Sequence, residues 1–458
     1  MQRDTVFDLI GVGFGPSNLS LAVRLAEEAG TSRLAHCFIE RQPEFGWHRG
    51  MLLDDCRMQI SFLKDLVTQR DPKSRFTFIN YLFERGRLND FVNLKSFYPT
   101  RVEFHDYLRW VADAFEERLH YGETVTSIEP VHTPGSSKEV GALRVSSRDQ
   151  DGREWQRVTR ALSVGIGGAA QVPEAFAALG SHNVIHSSTY LTSIDRVVGK
   201  ANDASRRKRV AVIGGGQSAA EVFVDLSRRF LHVDASLVIR SGALKPADDT
   251  PFVNEIFSPA YTDVVYGQSK DGRRSLIERF RDTNYAVVDR PLIEQIYEML
   301  YLQNVSDDVR HRLLANTGIE AAVRTADGQI ELTLRDNLTG LGRAERFDAL
   351  VLATGYRRDT HIALLDGLAP HLGDALAQGD VERDYRLATP EHFKPRIYLQ
   401  GCCEDSHGLS DTLLSVLALR SDEIVASLAE HAARDRPASR ITPQQKNGMS
   451  DGRMAIAL

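Results

Sequence analysis

Cysteine is scarce in this chain, and the few present carry no redox or metal spacing. The 458 residues hold four: Cys37, Cys56, Cys402 and Cys403. None forms a CxxC or CxxxxC pair, which excludes the dithiol centre of a disulfide reductase. Buried free thiols are the expected state, in keeping with a reducing cytoplasm. Histidine occurs 14 times but never as HExxH or as a clustered pair, so no metal site is expected. Positive charge is not in excess. With 56 Lys and Arg against 62 Asp and Glu the formal net charge is −6, which argues against a nucleic-acid partner or an anionic membrane surface. No apolar run approaches the roughly 18 residues of a spanning helix, and the start, MQRDTVFDLI, lacks the order of a signal peptide. The remaining composition is ordinary: 42% hydrophobic and 26% charged, with enough length for two or three domains.

Glycine is what the chain has in abundance, and two clusters of it sit where a strand should pass into a helix. The first is Gly11-Val12-Gly13-Phe14-Gly15-Pro16-Ser17-Asn18, entered from Val6-Phe7-Asp8-Leu9-Ile10. Glycines there let the backbone turn tightly and approach a pyrophosphate, whose charge then rests on the helix N-terminus. A helix pattern follows from Leu19 to Ala29, then a strand, Ala35-His36-Cys37-Phe38-Ile39, ending in Glu40. An acid at that place hydrogen-bonds an adenosine ribose. Pro16 replaces the third fingerprint glycine, which the first turn of a helix tolerates.

The second cluster, Gly214-Gly215-Gly216-Gln217-Ser218-Ala219-Ala220, follows Arg209-Val210-Ala211-Val212-Ile213 and fits GxGxxA. The next strand, Ala235 to Ile239, ends in Arg240 rather than an acid. An arginine there suits the extra phosphate of NADPH. A nucleophile-elbow reading of Gly216 to Ala220 competes, but it leaves the first turn unexplained and has no assigned Asp and His. Two small-residue turns, Gly165 to Gly168 and Ala353 to Tyr356, each end a buried strand and are expected as crossover points between nested domains. Two dinucleotides in one chain imply electrons passing between them.

Other motifs add a resemblance. The segment from Asp348 to His361 reads D-x3-L-A-T-G-Y-x4-H. With it stand Trp47-His48, Met58 to Leu66, Phe97 to Arg101, Ala243 to Asp249, Pro251 to Phe257, Asn284-Tyr285 and His407 to Ser415. Together these resemble the flavin-dependent N-hydroxylating monooxygenases of siderophore biosynthesis, nearest to the bacterial L-ornithine N5-monooxygenases of the pyoverdine-pathway type. Of the linker pattern of Baeyer–Villiger relatives only His186 and Tyr190 survive.

The resemblance implies FAD and NADPH as cofactors and L-ornithine and O2 as substrates, with hydroxylation of the side-chain amine through a flavin hydroperoxide. Lysine N6- or diamine hydroxylation, an uncoupled NADPH oxidase or a flavoprotein reductase are the alternatives. A site that must measure one methylene gains only about 1–3 kcal/mol from it. The resemblance also implies a homotetramer or looser assembly such as a homodimer. Lys64, read within a mixed apolar helix, is expected to hold the substrate carboxylate. Taken alone it reads as a solvated lysine. Asn254 and Asn284 are expected on the amino-acid end and Ser410 near the reacting end. Gln59 is expected against the flavin ring, and Arg101 either beside the cofactors or in a structural salt bridge. FAD is assigned Gly11, Gly13, Gly15, Pro16, Glu40, Trp47, His48, Gln59, Thr354, Gly355 and Tyr356. NADPH is assigned Gly214, Gly216, Gln217, Ser218 and Arg240. Cys402 and Cys403 are read as packing.

The expected fold is α/β, with two nested Rossmann-like dinucleotide-binding domains and a substrate pocket at their interface. The FAD domain is drawn from residues 1–200 plus 345–435. The NADPH domain is drawn from 205–345, with 250–300 forming part of the pocket. Residues 199–208 read as a polar junction and 436–458 as a mobile tail.

Overall fold

A computed structural model describes residues 6–28, 34–200 and 206–435. The tail expected at 436–458 and residues 201–205 of the expected junction lie outside them.

Along the chain come β1 (Leu9–Val12), α1 (Pro16–Glu27), β2 (His36–Glu40), β3 (Leu119–Tyr121) and β4 (Ala161–Val164). Next are β5 (Val184–His186), β6 (Lys208–Ile213), α2 (Gln217–Arg229) and β7 (Val233–Val238). They are followed by α3 (Arg290–Ser306), β8 (Arg312–Leu314) and β9 (Ala349–Leu352). The last are β10 (Arg396–Leu399) and α4 (Leu417–Asp435).

Ten of these strands form two five-stranded sheets, ordered β10-β4-β1-β2-β3 and β5-β9-β6-β7-β8. Every pairing in both is parallel. A parallel sheet is covered on both faces, so its strands must be apolar throughout rather than alternating. Accordingly β1, β2, β4 and β9 are buried at every position. The two sheets repeat one plan. A central strand, β1 or β6, enters a glycine turn; on one side lies the strand that follows it, β2 or β7. On the other side lies the strand that ends in a small-residue turn, β4 or β9. The chain is therefore α/β with two Rossmann-like units.

Strand pairing draws the second unit wider than the expected 205–345. Val184–His186 pairs with Leu350–Leu352, and Val210–Ile213 pairs with Ala349–Leu352. Both outer segments thus belong to the second sheet, because their backbone hydrogen bonds are made there.

The helix expected around Lys64 is absent: residues 61–70 form turns. Asp65 is the cause. Its buried carboxylate accepts the N–H groups of Val67 (2.9 Å), Thr68 (2.6 Å) and Phe78 (2.8 Å), and the Thr68 hydroxyl (2.7 Å). Such local side-chain bonds compete with the helical ladder. Among the described residues no helix is long and apolar enough to cross a membrane.

Candidate active site

The two glycine turns close in the same way. Gly13 stands at φ +81°, and a Cβ on it would lie 2.6 Å from the Gly165 carbonyl oxygen. Gly214 stands at φ +144°, and its Cβ would lie 2.3 Å from the Ala353 carbonyl oxygen. Gly165 follows β4 and Ala353 follows β9, so each small-residue turn is the wall against which one glycine turn packs. Only glycine satisfies both the backbone angle and the approach. The first turn is also pinned by Asn18, whose Nδ2 donates to the Val12 and Gly13 carbonyls at 3.2 and 2.6 Å. Asn18 Oδ1 accepts from Ser163 Oγ (2.7 Å) and Gln400 Nε2 (2.9 Å).

Both turns leave a bare helix N-terminus. Gly15 begins α1 and Gly216 begins α2, neither helix having a side-chain cap or an acidic residue in its first turn. Pro16 occupies the first turn of α1, where its missing N–H costs nothing. A Cβ built on Gly15 meets no atom within 4 Å. Open space in front of unpaired N–H groups fits a pyrophosphate. Glu40, at the end of β2, accepts the N–H groups of Phe14 (2.7 Å) and Gln42 (2.8 Å), so it ties the turn to the second strand.

A cavity of about 2260 Å³ lies between the units. From the first unit Trp47, His48, Gln59, Lys64 and Arg101 border it. Gly214, Gly216, Gln217, Ser218 and Arg240 border it from the second turn and the strand beyond. Asn254 and Asn284 do so from the 250–300 segment, and Thr354, Gly355 and Tyr356 from the turn after β9. Gly11, Gly13, Gly15, Pro16 and Glu40 are not among the lining residues; they stand at the first turn, apart from it. Ser410 is also absent from the lining: it is 2% exposed, in the short helical turn Leu409–Thr412. Its neighbours Thr412, Leu413 and Leu414 reach the cavity instead, because that turn points Ser410 inward.

Lys64 is half-buried, and its ammonium pKa is lowered by burial, with Glu255 acting in the opposite sense. A cation in that state gains from a carboxylate partner. Asn254 Nδ2 donates to the Asp249 carbonyl at 2.8 Å, while Asn284 follows the turn Arg281–Thr283. Tyr285, next to it, donates its hydroxyl to Glu404, and burial pushes the phenol up to about 12. Tyr356 sits edge-on between His48 and His186, with ring centroids 6.1 and 5.3 Å away. His48 faces the cavity but is set deep among protein atoms. That depth, with Arg101 and Arg358 nearby, pushes its pKa down to about 4.

Arg101 is committed to a salt bridge. Its two terminal nitrogens donate to the Glu221 carboxylate at 2.9 and 2.7 Å, and one also reaches the Met51 carbonyl (2.8 Å). Glu221 is buried on α2, so this pair joins the two units across the cavity wall. Glu221, Tyr285 and Asp289 border the cavity and were not among the expected residues. Glu221 had a signal, a lone acid within the otherwise apolar run Ala219-Ala220-Glu221-Val222-Phe223-Val224. Cys402 packs against the core, as expected, and also borders the cavity. Its thiol pKa is lowered by hydrogen bonds to Cys403 and His361. Cys403 stays buried, its Sγ 3.5 Å from the Leu399 carbonyl.

A family model for L-lysine 6-monooxygenase/L-ornithine 5-monooxygenase matches residues 5–358. An L-ornithine N(5)-monooxygenase of Burkholderia cepacia is 77% identical over 408 residues, covering 89% of this chain and 91% of that one. The solved ornithine hydroxylase of Pseudomonas aeruginosa is 48% identical with a TM-score of 0.87, covering 93% of this chain and all of that one (100%). The ornithine N-hydroxylase of Kutzneria sp. 744, solved with reduced FAD, NADP+ and L-ornithine, is 37% identical with a TM-score of 0.86, covering 93% and 100%. The family model covers most of the chain and these relatives span nearly all of it, so the chain belongs to the L-lysine 6-monooxygenase/L-ornithine 5-monooxygenase family.

Proposed function

We propose that this protein hydroxylates the side-chain amine of L-ornithine, using FAD, NADPH and O2. The observation that carries the reading is one cavity bordered by the second glycine turn, by Arg240 and by Lys64, Asn254 and Asn284. Ornithine is preferred over lysine because the relatives at 77%, 48% and 37% identity are ornithine enzymes.

FAD would be held by Gly11, Gly13, Gly15 and Pro16, by Glu40, and by Trp47, His48, Gln59, Thr354, Gly355 and Tyr356. NADPH would be held by Gly214, Gly216, Gln217 and Ser218, with Arg240 suited to its additional phosphate. Bound flavin supplies hydride acceptance and oxygen activation. The side chains bind, orient and exclude water. Lys64 anchors the carboxylate of ornithine by a charge-assisted bond. Asn254 and Asn284 can donate and accept together, which suits the zwitterionic end. Anchoring that end fixes how far the side-chain amine reaches. The amine must be neutral to attack, and a free alkyl amine has a pKa of about 10.4; burial in the cavity lowers it. Water exclusion by the same walls protects reactive oxygen from wasteful decay. Free thiols at Cys402 and Cys403 suit a reducing cytoplasm. We divide the chain at its strand pairings, with Val184–His186 and Ala349–Leu352 in the NADPH unit.

The test is product formation by FAD-loaded protein with NADPH and O2, comparing L-ornithine, L-lysine and putrescine. Hydroxylamine from ornithine alone is expected. Product from lysine or putrescine alone would overturn the substrate, and hydrogen peroxide as the sole product would overturn the hydroxylase.

A further inference from the structure

Asp289 occupies the N-cap position of α3, directly before Arg290 and Pro291, yet its side chain makes no capping bond. Aspartate is among the preferred residues for that task. Here both carboxylate oxygens turn the other way, toward the cavity. Oδ1 accepts from Gln59 Nε2 at 3.1 Å and Oδ2 from Gln217 Nε2 at 3.1 Å. The Asp289 backbone N–H returns a bond to Gln217 Oε1 at 2.8 Å. Gln217 Nε2 also donates to Glu221 at 3.0 Å, the carboxylate already held by Arg101.

This arrangement has a directional consequence. The reciprocal pair of bonds leaves one orientation for the Gln217 amide, at the first residue of α2. The single bond to Gln59 holds its nitrogen against Asp289 and leaves Oε1 to accept a hydrogen bond from the cavity. A local helix preference forgone where two amides face a cavity marks a functional constraint rather than a folding one.

We propose that Asp289 is a positioning residue that orients Gln59 and Gln217 together. It thereby couples the flavin-facing amide to the N-terminus on which the nicotinamide dinucleotide rests. The inference depends on the cofactor assignment above and on no further ligand. Asp289→Asn is the informative variant. The Asp289 side chain makes no capping bond, so α3 is retained, but asparagine cannot accept through both terminal atoms. One of the two glutamines is then left facing a donor.

The experiment measures hydroxylated ornithine formed per NADPH consumed, KM for each substrate, and NADP+ affinity by flavin difference spectra, all on the FAD-loaded full chain. Asp289→Asn is expected to lower the product ratio at least fivefold and weaken NADP+ binding at least threefold. KM for ornithine should stay within twofold, a split that general loosening of the fold would not give. Because Asp289 acts through its partners, adding Asp289→Asn to Gln59→Ala should change the product ratio by less than about 1.5-fold. Adding it to Gln217→Ala should change NADP+ affinity equally little. Multiplying effects in those double variants, or wild-type values in the single variant, would overturn the proposal. If the wild-type protein forms no hydroxylamine, the function proposed above fails. The NADP+ titrations then still decide the role of Asp289.

Discussion

The two glycine turns share a plan and differ in what stands in front of them. The first is pinned: Asn18 holds it and Glu40 ties it to β2, and it lies apart from the cavity between the units. The second opens onto the cavity through Gly214, Gly216, Gln217 and Ser218, with Arg240 exposed beyond it. One scaffold thus serves two duties. A pinned turn suits a cofactor that stays, and one on a wide cavity suits a cofactor that arrives, reacts and leaves.

The sharpest way to break this comparison is a pair of substitutions in the first turn. Gly13→Ala puts a Cβ 2.6 Å from a backbone oxygen at φ +81°, which costs about 2–5 kcal/mol. It should lower the melting temperature of even the flavin-free protein. Gly15→Ala meets no protein atom and costs at most about 1 kcal/mol as an N-cap change. It should leave flavin-free stability nearly intact yet weaken FAD binding tenfold or more. Equal melting losses in the two variants would contradict the reading of Gly13 as packed and Gly15 as open.

Between the turns, Lys64→Met removes the proposed carboxylate anchor. The loss of a charge-assisted bond, about 1.5–3 kcal/mol, should raise KM for ornithine roughly 10- to 100-fold. NADPH oxidation without substrate should be unchanged; steady-state kinetics on both reactions checks this. A smaller effect is expected at the open turn. Arg240→Ala should weaken NADPH by about 1–2 kcal/mol, the low end because the side chain is exposed, and leave NADH unaffected. Parallel titrations with the two nucleotides would show it.

The last effect is a stability slope with pH. His311, beside β7 through the Ala235 N–H (3.2 Å), and His407, stacked on Tyr385 at 4.1 Å, are both pushed down to about 4 by burial. Each is neutral when folded and titrates near 6.5 when unfolded. Between those values the unfolded chain binds more protons. Their stabilisation is therefore complete above about pH 6.5 and is lost toward pH 4, by up to about 1.4 kcal/mol per pH unit each. Melting temperatures from pH 7 to 5 should fall, and less steeply in His407→Gln. An identical slope in that variant would remove His407 from the account.

Much of this was legible in the order of residues, because a turn that needs glycine advertises it. The strand before each turn, the helix after it, Glu40 and Arg240 all follow from local chemistry. What was not legible depends on long-range contact. Asp65 diverts residues 61–70 from the helix that their pattern suggests, through a bond to Phe78 N–H that no spacing reveals. Asp289 meets Gln59 across 230 residues. Ser410 carries a motif-level expectation, yet the turn around it buries it. Membership of Val184–His186 in the second sheet likewise depends on pairing with Leu350–Leu352, far along the chain.

The most direct measurement is the amount of N-hydroxylated ornithine formed for each NADPH oxidised by the FAD-loaded protein in air. A ratio near one with ornithine, together with slow oxidation in its absence, is the predicted result. A ratio near zero, with hydrogen peroxide accounting for the NADPH consumed, would contradict the account.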